Sequence, residues 1–217
     1  MTELESRLQD SLENVYRIET GLAVADFRID RAALQIVLPK RAEACRETLV
    51  VAESAEETYL ALFICDEILA GARAFESAAE TSSEDLRPHL DAICVAAEGV
   101  SYFVYFTFCG GTYDRPVSQV ELELQAEIDK FLLLRLTCGL RGEDLIEALF
   151  DRFALDPKLS DEERARYRLA NRIGRRYARW LDRKLSGAEA TRALRDARQL
   201  YRKPMSAKIE HIERLAA

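Results

Sequence analysis

Histidine occurs only twice in this chain, at His89 and His211, and tryptophan once, at Trp180. With so few imidazoles, multi-histidine metal sites and most histidine-based catalysis have little to draw on. Neither histidine has a Cys, Asp or Glu at metal-ligand spacing along the chain. Also missing are a CxxC pair, the G-x-S-x-G elbow, the phosphate loop GxxxxGK[ST] and the dinucleotide fingerprint G-x-G-x-x-G. The one adjacent glycine pair, Gly110-Gly111, follows an apolar helical stretch, so it reads as a helix cap and turn rather than a phosphate cradle. The five cysteines, Cys45, Cys65, Cys94, Cys109 and Cys138, are odd in number and widely spaced. They read as reduced, mostly buried thiols, not as a disulfide framework, and none has an evident activating base. No cofactor is expected from these residues.

What the chain does have is 48% apolar and 32% charged residues over 217 positions, the balance of a globular protein able to bury a core. The opening MTELESRLQD alternates charge and lacks an apolar signal region, which points to a cytoplasmic protein. Residues 92–113 carry a single charge, Glu98. Their length is near that of a membrane span, yet three tyrosines and that glutamate favour a buried central helix, with no membrane partner.

Periodicity predicts an α+β fold, predominantly helical, with a small N-terminal antiparallel sheet followed by a helical bundle. Residues 2–17 space Leu4, Leu8, Leu12, Val15 and Tyr16 as one helix face. The runs ETLVVAES and AEETYLALFI, rich in β-branched and aromatic residues, predict a hairpin, and VADFRI is the candidate for a third strand. Helices are expected over 66–79, 88–108, 118–138 and 160–187, with shorter ones around GEDLIEALFDRF and on either side of Pro204. Ser118 with Glu121, and Ser160 with Glu163, have the spacing of capping boxes. TSSEDLRP reads as a loop. No repeat or linker interrupts residues 1–217, so one compact domain is expected, divisible into a mixed lobe over 1–85 and a helical lobe over 86–217.

Two features carry functional expectations. The first is a possible buried carboxylate site. Glu98 falls between Cys94, Tyr102 and Tyr105 on a nearly all-apolar helix, and Glu123 and Glu127 lie on the apolar side of the next. Antiparallel packing of those helices would bring Glu98 toward Glu127. Buried carboxylates demand partners, so the site holds a ligand or metal, or each glutamate sits in an ion pair. The second reading is favoured, since the Glu-x-x-His motif of dinuclear bundle sites is absent. The metal question stays open.

The second feature is charge. Residues 160–217 contain 16 basic and 8 acidic side chains, whereas the rest of the chain contains 15 and 30. Within 160–187, Arg164, Arg168, Arg172, Arg175, Arg176, Arg179 and Arg183 fall on one arc of about 120° at the helical period. Only Asp161 and Asp182 share it. The opposite arc holds Tyr167, Leu169, Ala170, Ile173, Tyr177, Trp180 and Leu181. Such a stripe calls for anions beyond its own helix: the chain's own acidic body, an acidic protein surface or second subunit, or nucleic acid. Nucleic acid ranks last, because the chain's net charge is −7 and the helix's aromatics face away from the arginines. The expectation is a non-catalytic interaction or adaptor protein, possibly a homodimer. An enzyme or ligand-binding protein with the carboxylate site is the alternative, and a phosphate-binding stripe the third.

Overall fold

A computed structural model describes residues 3–54, 57–80, 87–152, 155 and 159–215. The predicted loop at 81–86 lies outside them. In chain order the elements are α1 (Leu4–Tyr16), a 3-10 turn (Val24–Phe27), α2 (Arg31–Val37), β1 (Glu47–Glu53) and β2 (Thr58–Ile64). There follow α3 (Asp66–Glu80), α4 (Arg87–Tyr113), α5 (Gln119–Thr137), α6 (Gly142–Ile146), a π-helical turn (Glu147–Asp151), α7 (Asp161–Leu185), α8 (Ala190–Tyr201) and α9 (Met205–Leu215). The fold is thus α+β and predominantly helical, with its small antiparallel sheet near the N-terminus.

The chain packs as two compact units. One comprises residues 1–11 and 20–104, the other residues 12–19 and 105–217.

In the first unit β1 and β2 pair antiparallel from Glu47↔Ile64 to Glu53↔Thr58. VADFRI forms a 3-10 turn instead of a third strand; only Arg28 makes an isolated bridge, to Leu62. A four-residue turn closed by Asp26 N–H donating to the Ala23 carbonyl at 3.0 Å uses the backbone groups that a ladder would need. Only the end of β2, Leu62 to Ile64, is buried; the strand's start is exposed. That end packs on α4 at Gly99, where an added Cβ would meet Leu62 and Ile64 side chains at 3.3–3.4 Å. Leu4, Leu8, Val24, Leu34, Phe75, Val100 and Phe103 complete this core. The buried Glu5 is neutralised by Arg28.

In the second unit α5 lies at the centre, and every residue from Glu123 to Leu134 is buried. Being covered on all sides explains why its sequence lacks a clean apolar stripe. α7 runs parallel to it: Glu123 meets Arg166, Glu127 meets Gly174, and Arg135 meets Asp182. α6 and the π turn make the crossover that parallel neighbours require. α8 returns along α7, with the Tyr177 hydroxyl donating to Asp196 at 2.7 Å. The end of α1 is stitched to α8. Arg198 donates to the Val15 carbonyl at 2.8 Å, and Arg202 donates to the carbonyls of Tyr16 and Arg17 at 3.2–3.3 Å. These guanidinia satisfy carbonyls that have no partner within α1.

Three local expectations are corrected. α4 runs through Gly110-Gly111 to Tyr113, and the chain turns at Asp114 in the left-handed region (φ 46°). Ser118 caps α5 by accepting from Glu121 N–H, but the Glu121 side chain does not return to close the box, because Arg115 and Tyr105 hold it. Ser160 and Glu163 do form the full box. Of the five cysteines, only Cys65 and Cys109 are fully buried. α4 is the one helix among the described residues long and apolar enough to cross a membrane, and 67% of its most apolar window is buried.

Candidate functional site

The arginine arc of α7 is largely open. Arg168, Arg172, Arg176, Arg179 and Arg183 are exposed, while Arg164 and Arg175 are half-buried. The opposite arc is the packing surface, with Ala170, Ile173, Tyr177, Ala178, Trp180 and Leu181 buried. Tyr167 and Leu169 on that arc are only half-buried. Three arginines find acids. Arg164 pairs with Asp161 at 3.6 Å, and Asp151 takes both Arg175 and, at 3.9 Å, Arg179. Asp151 closes the π turn, and the extra residue in such a turn re-aims the side chains after it.

Asp182 does not shield the stripe. It turns inward to Arg135 at 3.2 Å and lies against Gly142, where an added Cβ would fall within 1.8 Å of its carboxylate. Among the described residues, no acid pairs with Arg168, Arg172, Arg176 or Arg183. The chain's own acids therefore cover the stripe at only a few points.

The three singled-out glutamates are placed differently from one another. Glu98 belongs to the first unit and is half-buried, accepting from the Tyr102 hydroxyl at 2.7 Å. The sequence predicts Glu98 to be buried or to line an internal cavity; in the structure the helix face that includes Tyr102 keeps partial solvent access. Glu123 and Glu127 are buried in the second unit, each beside its own cation. Arg166 meets Glu123 at 3.2 Å, and Lys130 meets Glu127 at 3.0 Å. Arg166 lies off the predicted arginine arc, and that position is what lets it reach α5.

A second row of polar residues on α5, at the same four-residue spacing, forms a larger network that the sequence reading passed over: Glu121, Gln125 and Asp129. Lys208 of α9 is wholly buried, donates to the Gln125 side-chain oxygen, and stands 4.1 Å from the centre of the Tyr105 ring. The Gln125 amide donates to Asp129 at 2.7 Å and to the Tyr16 hydroxyl at 3.1 Å. Tyr16 donates to Asp129 and stacks on Tyr201 at 3.8 Å. Nearby, Arg115 bonds both oxygens of Glu121, at 2.7 and 3.2 Å, and reaches the Tyr105 hydroxyl and the Cys109 sulfur.

Burial lowers the Lys208 pKa to about 8, an effect partly opposed by Glu121 and Asp129. Burial likewise raises the hydroxyls of Tyr16, Tyr105 and Tyr201 and the thiol of Cys109. The available sequence signal was Lys208 itself, one turn before the buried Ile212 on the inner face of α9. His211 also finds a partner that its sequence neighbours do not reveal, Asp196 of α8 at 2.9 Å.

The first unit holds an open cleft of about 550 Å³ lined by Arg31, Cys45, Arg46, Cys65, His89 and Asp91, among others. Arg31 is committed to the carbonyls of Ala42, Glu43 and Cys45, so it fastens the loop before β1. Burial raises the Cys45 thiol, which donates to the Glu47 carbonyl at 3.2 Å, so Cys45 is held as a thiol. Among the described residues, no three His, Cys, Asp or Glu side chains converge as a metal site.

No family model matches the chain. No curated protein and no solved structure matches it either.

Proposed function

We propose that the protein is a non-catalytic interaction or adaptor protein that binds an acidic protein surface through the outer face of α7. The observation that carries this reading is the row Arg168, Arg172, Arg176 and Arg183, whose guanidinia have no anionic partner among the described residues. Like charges one turn apart repel by roughly 0.2–0.5 kcal/mol per pair, a cost that an incoming row of carboxylates relieves. Arginine offers carboxylates two parallel donors, which fixes orientation as well as charge. Tyr177 and Trp180 of the same helix are buried, so the face has no platform for stacking bases. That favours an acidic protein over nucleic acid. The alternative of a carboxylate ligand site draws less support, because Glu123 and Glu127 each sit beside a basic side chain.

The test is binding of a synthetic glutamate-rich peptide, measured by fluorescence anisotropy across salt concentrations. The wild-type protein binds it and weakens steeply with salt. The triple variant Arg172→Glu/Arg176→Glu/Arg183→Glu binds about tenfold more weakly, the sum of a few exposed ion pairs. Its Tm stays level or rises. Equal binding by the variant, or a marked fall in its Tm, would sink the reading. Tighter binding of a single-stranded oligonucleotide than of the peptide would move it to phosphate recognition.

A further inference from the structure

The hairpin of the first unit presents a second surface, built from backbone. Cys65 N–H donates to the Arg46 carbonyl at 2.9 Å, and Ser54 N–H donates to the Glu57 carbonyl at 2.8 Å. These bonds bracket the β1–β2 register and set its alternation. Positions 46, 48, 50, 52 and 54 bond to β2, so the main-chain groups of 47, 49, 51 and 53 point away from it. On β2 the same alternation turns Leu62 outward, where its carbonyl accepts from Ile29 N–H at 3.0 Å. Among the described residues β1 has no such neighbour. The Glu47 carbonyl accepts the Cys45 thiol, but the outward N–H and C=O of Leu49 and Val51 have no partner among the described residues. Val51 is exposed and Leu49 half-buried. An unpaired edge of this kind is a template for another strand.

The chemistry of the occupant follows from charge. The turn end of the hairpin carries the exposed Glu57, with Glu53 and Glu56 beside it in sequence, whereas Glu47 at the other end turns its Oε2 in against Gly99 of α4. Residues 1–11 and 20–104 together carry 18 acidic against 8 basic side chains. A second copy of β1 is a poor occupant. It brings this strongly acidic unit against its own like charge. We propose that the free edge of β1 docks an extended basic segment of another protein, with apolar residues against Leu49 and Val51 and lysine or arginine flanking them. This surface is independent of the arginine face of α7.

A fluorescein-labelled synthetic peptide of alternating valine and threonine flanked by paired lysines tests it, beside the same peptide flanked by glutamates. The lysine peptide binds, and the glutamate peptide binds about tenfold more weakly through like-charge repulsion. Binding slows hydrogen exchange at the Leu49 and Val51 amides, which the free protein leaves open to water. Val51→Pro removes one outward N–H while sparing every β1–β2 bond, and it weakens the lysine peptide about tenfold. Val51→Lys leaves the backbone intact and weakens the lysine peptide through like charge and the lost apolar contact, so a hairpin disturbed by proline does not hide the answer. Equal binding of both peptides overturns the proposal, as does unchanged affinity in both variants. Self-association of the peptide-free protein that Val51→Pro abolishes also overturns it, by making a second copy the occupant.

Discussion

Between pH 8 and pH 10 the wild-type protein gains about 2 kcal/mol of stability relative to the Lys208→Met variant. Lys208 is wholly buried, and its pKa falls from 10.5 to about 8 on folding. The unfolded chain therefore holds the Lys208 proton more tightly than the folded one. At this site the unfolded state carries more protons through this window, so the Lys208 contribution rises with pH. It does so against the opposing slope of the Cys45 and Cys109 thiols, which burial keeps protonated. Below about 8 both states hold the lysine proton and its contribution is flat. Above pH 10 the tyrosines reverse the slope. Tyr16, Tyr105 and Tyr201 ionise in the unfolded chain near 10 but are held neutral in the fold, so stability falls again.

Urea denaturation at stepped pH reads both limbs. Methionine fills the space of the lysine stem without its charge, so the variant loses the rising limb and keeps the falling one. Lys208→Ala is harsher at neutral pH. It leaves a void, strips Gln125 of its donor and leaves Asp129 without its nearby cation, and it costs about 3–5 kcal/mol. A difference between wild type and Lys208→Met that stayed constant from pH 8 to 10 would show that water reaches Lys208.

Replacing Gly174 with leucine costs about 3 kcal/mol, whereas replacing it with alanine changes stability by less than about 1 kcal/mol. Gly174 sits where α7 crosses α5, and a Cβ added there stands 3.0 Å from the Glu127 Cβ and 3.2 Å from the Phe150 ring. Alanine relieves the penalty of a mid-helix glycine, about 1 kcal/mol, and the tight contact takes back a similar amount. Leucine has nowhere to go without parting the helices and pulling Glu127 from Lys130. Thermal unfolding of the two variants side by side measures this. If the leucine variant melted with the wild type, α5 and α7 would not approach closely at this crossing.

The helices and the hairpin were legible in the sequence because their signals are local. The Ser160–Glu163 box, the Pro204 break and the runs on either side of the hairpin turn are read within a few residues. The arginine arc was legible for the same reason: one helix and one period are enough to place it. VADFRI was not, because a run of that length suits a strand or a tight turn equally and only its surroundings decide. The α5 network escaped for a related cause. Glu121, Gln125 and Asp129 share one face at the same interval as Glu123 and Glu127. Nothing on α5 shows that a lysine from α9, a tyrosine from α1 and an arginine just before α5 converge on the row of Glu121, Gln125 and Asp129. The sequence reads Glu121 as a capping residue, whereas Arg115 and Tyr105 hold its side chain.

The stitching of α1 to α8 bears on how the protein is made. Arg198 and Arg202 serve carbonyls that precede them by 183 and 186 positions, and Tyr16 closes its stack only when Tyr201 arrives. A nascent chain emerging from the ribosome exposes the end of α1 long before either arginine is synthesised. Residues 12–19 must therefore wait until more than 180 further residues have been made, and the second unit closes only after α8 has cleared the exit tunnel. Loss of α8 and α9 would then be felt far away in sequence, as fraying of the end of α1.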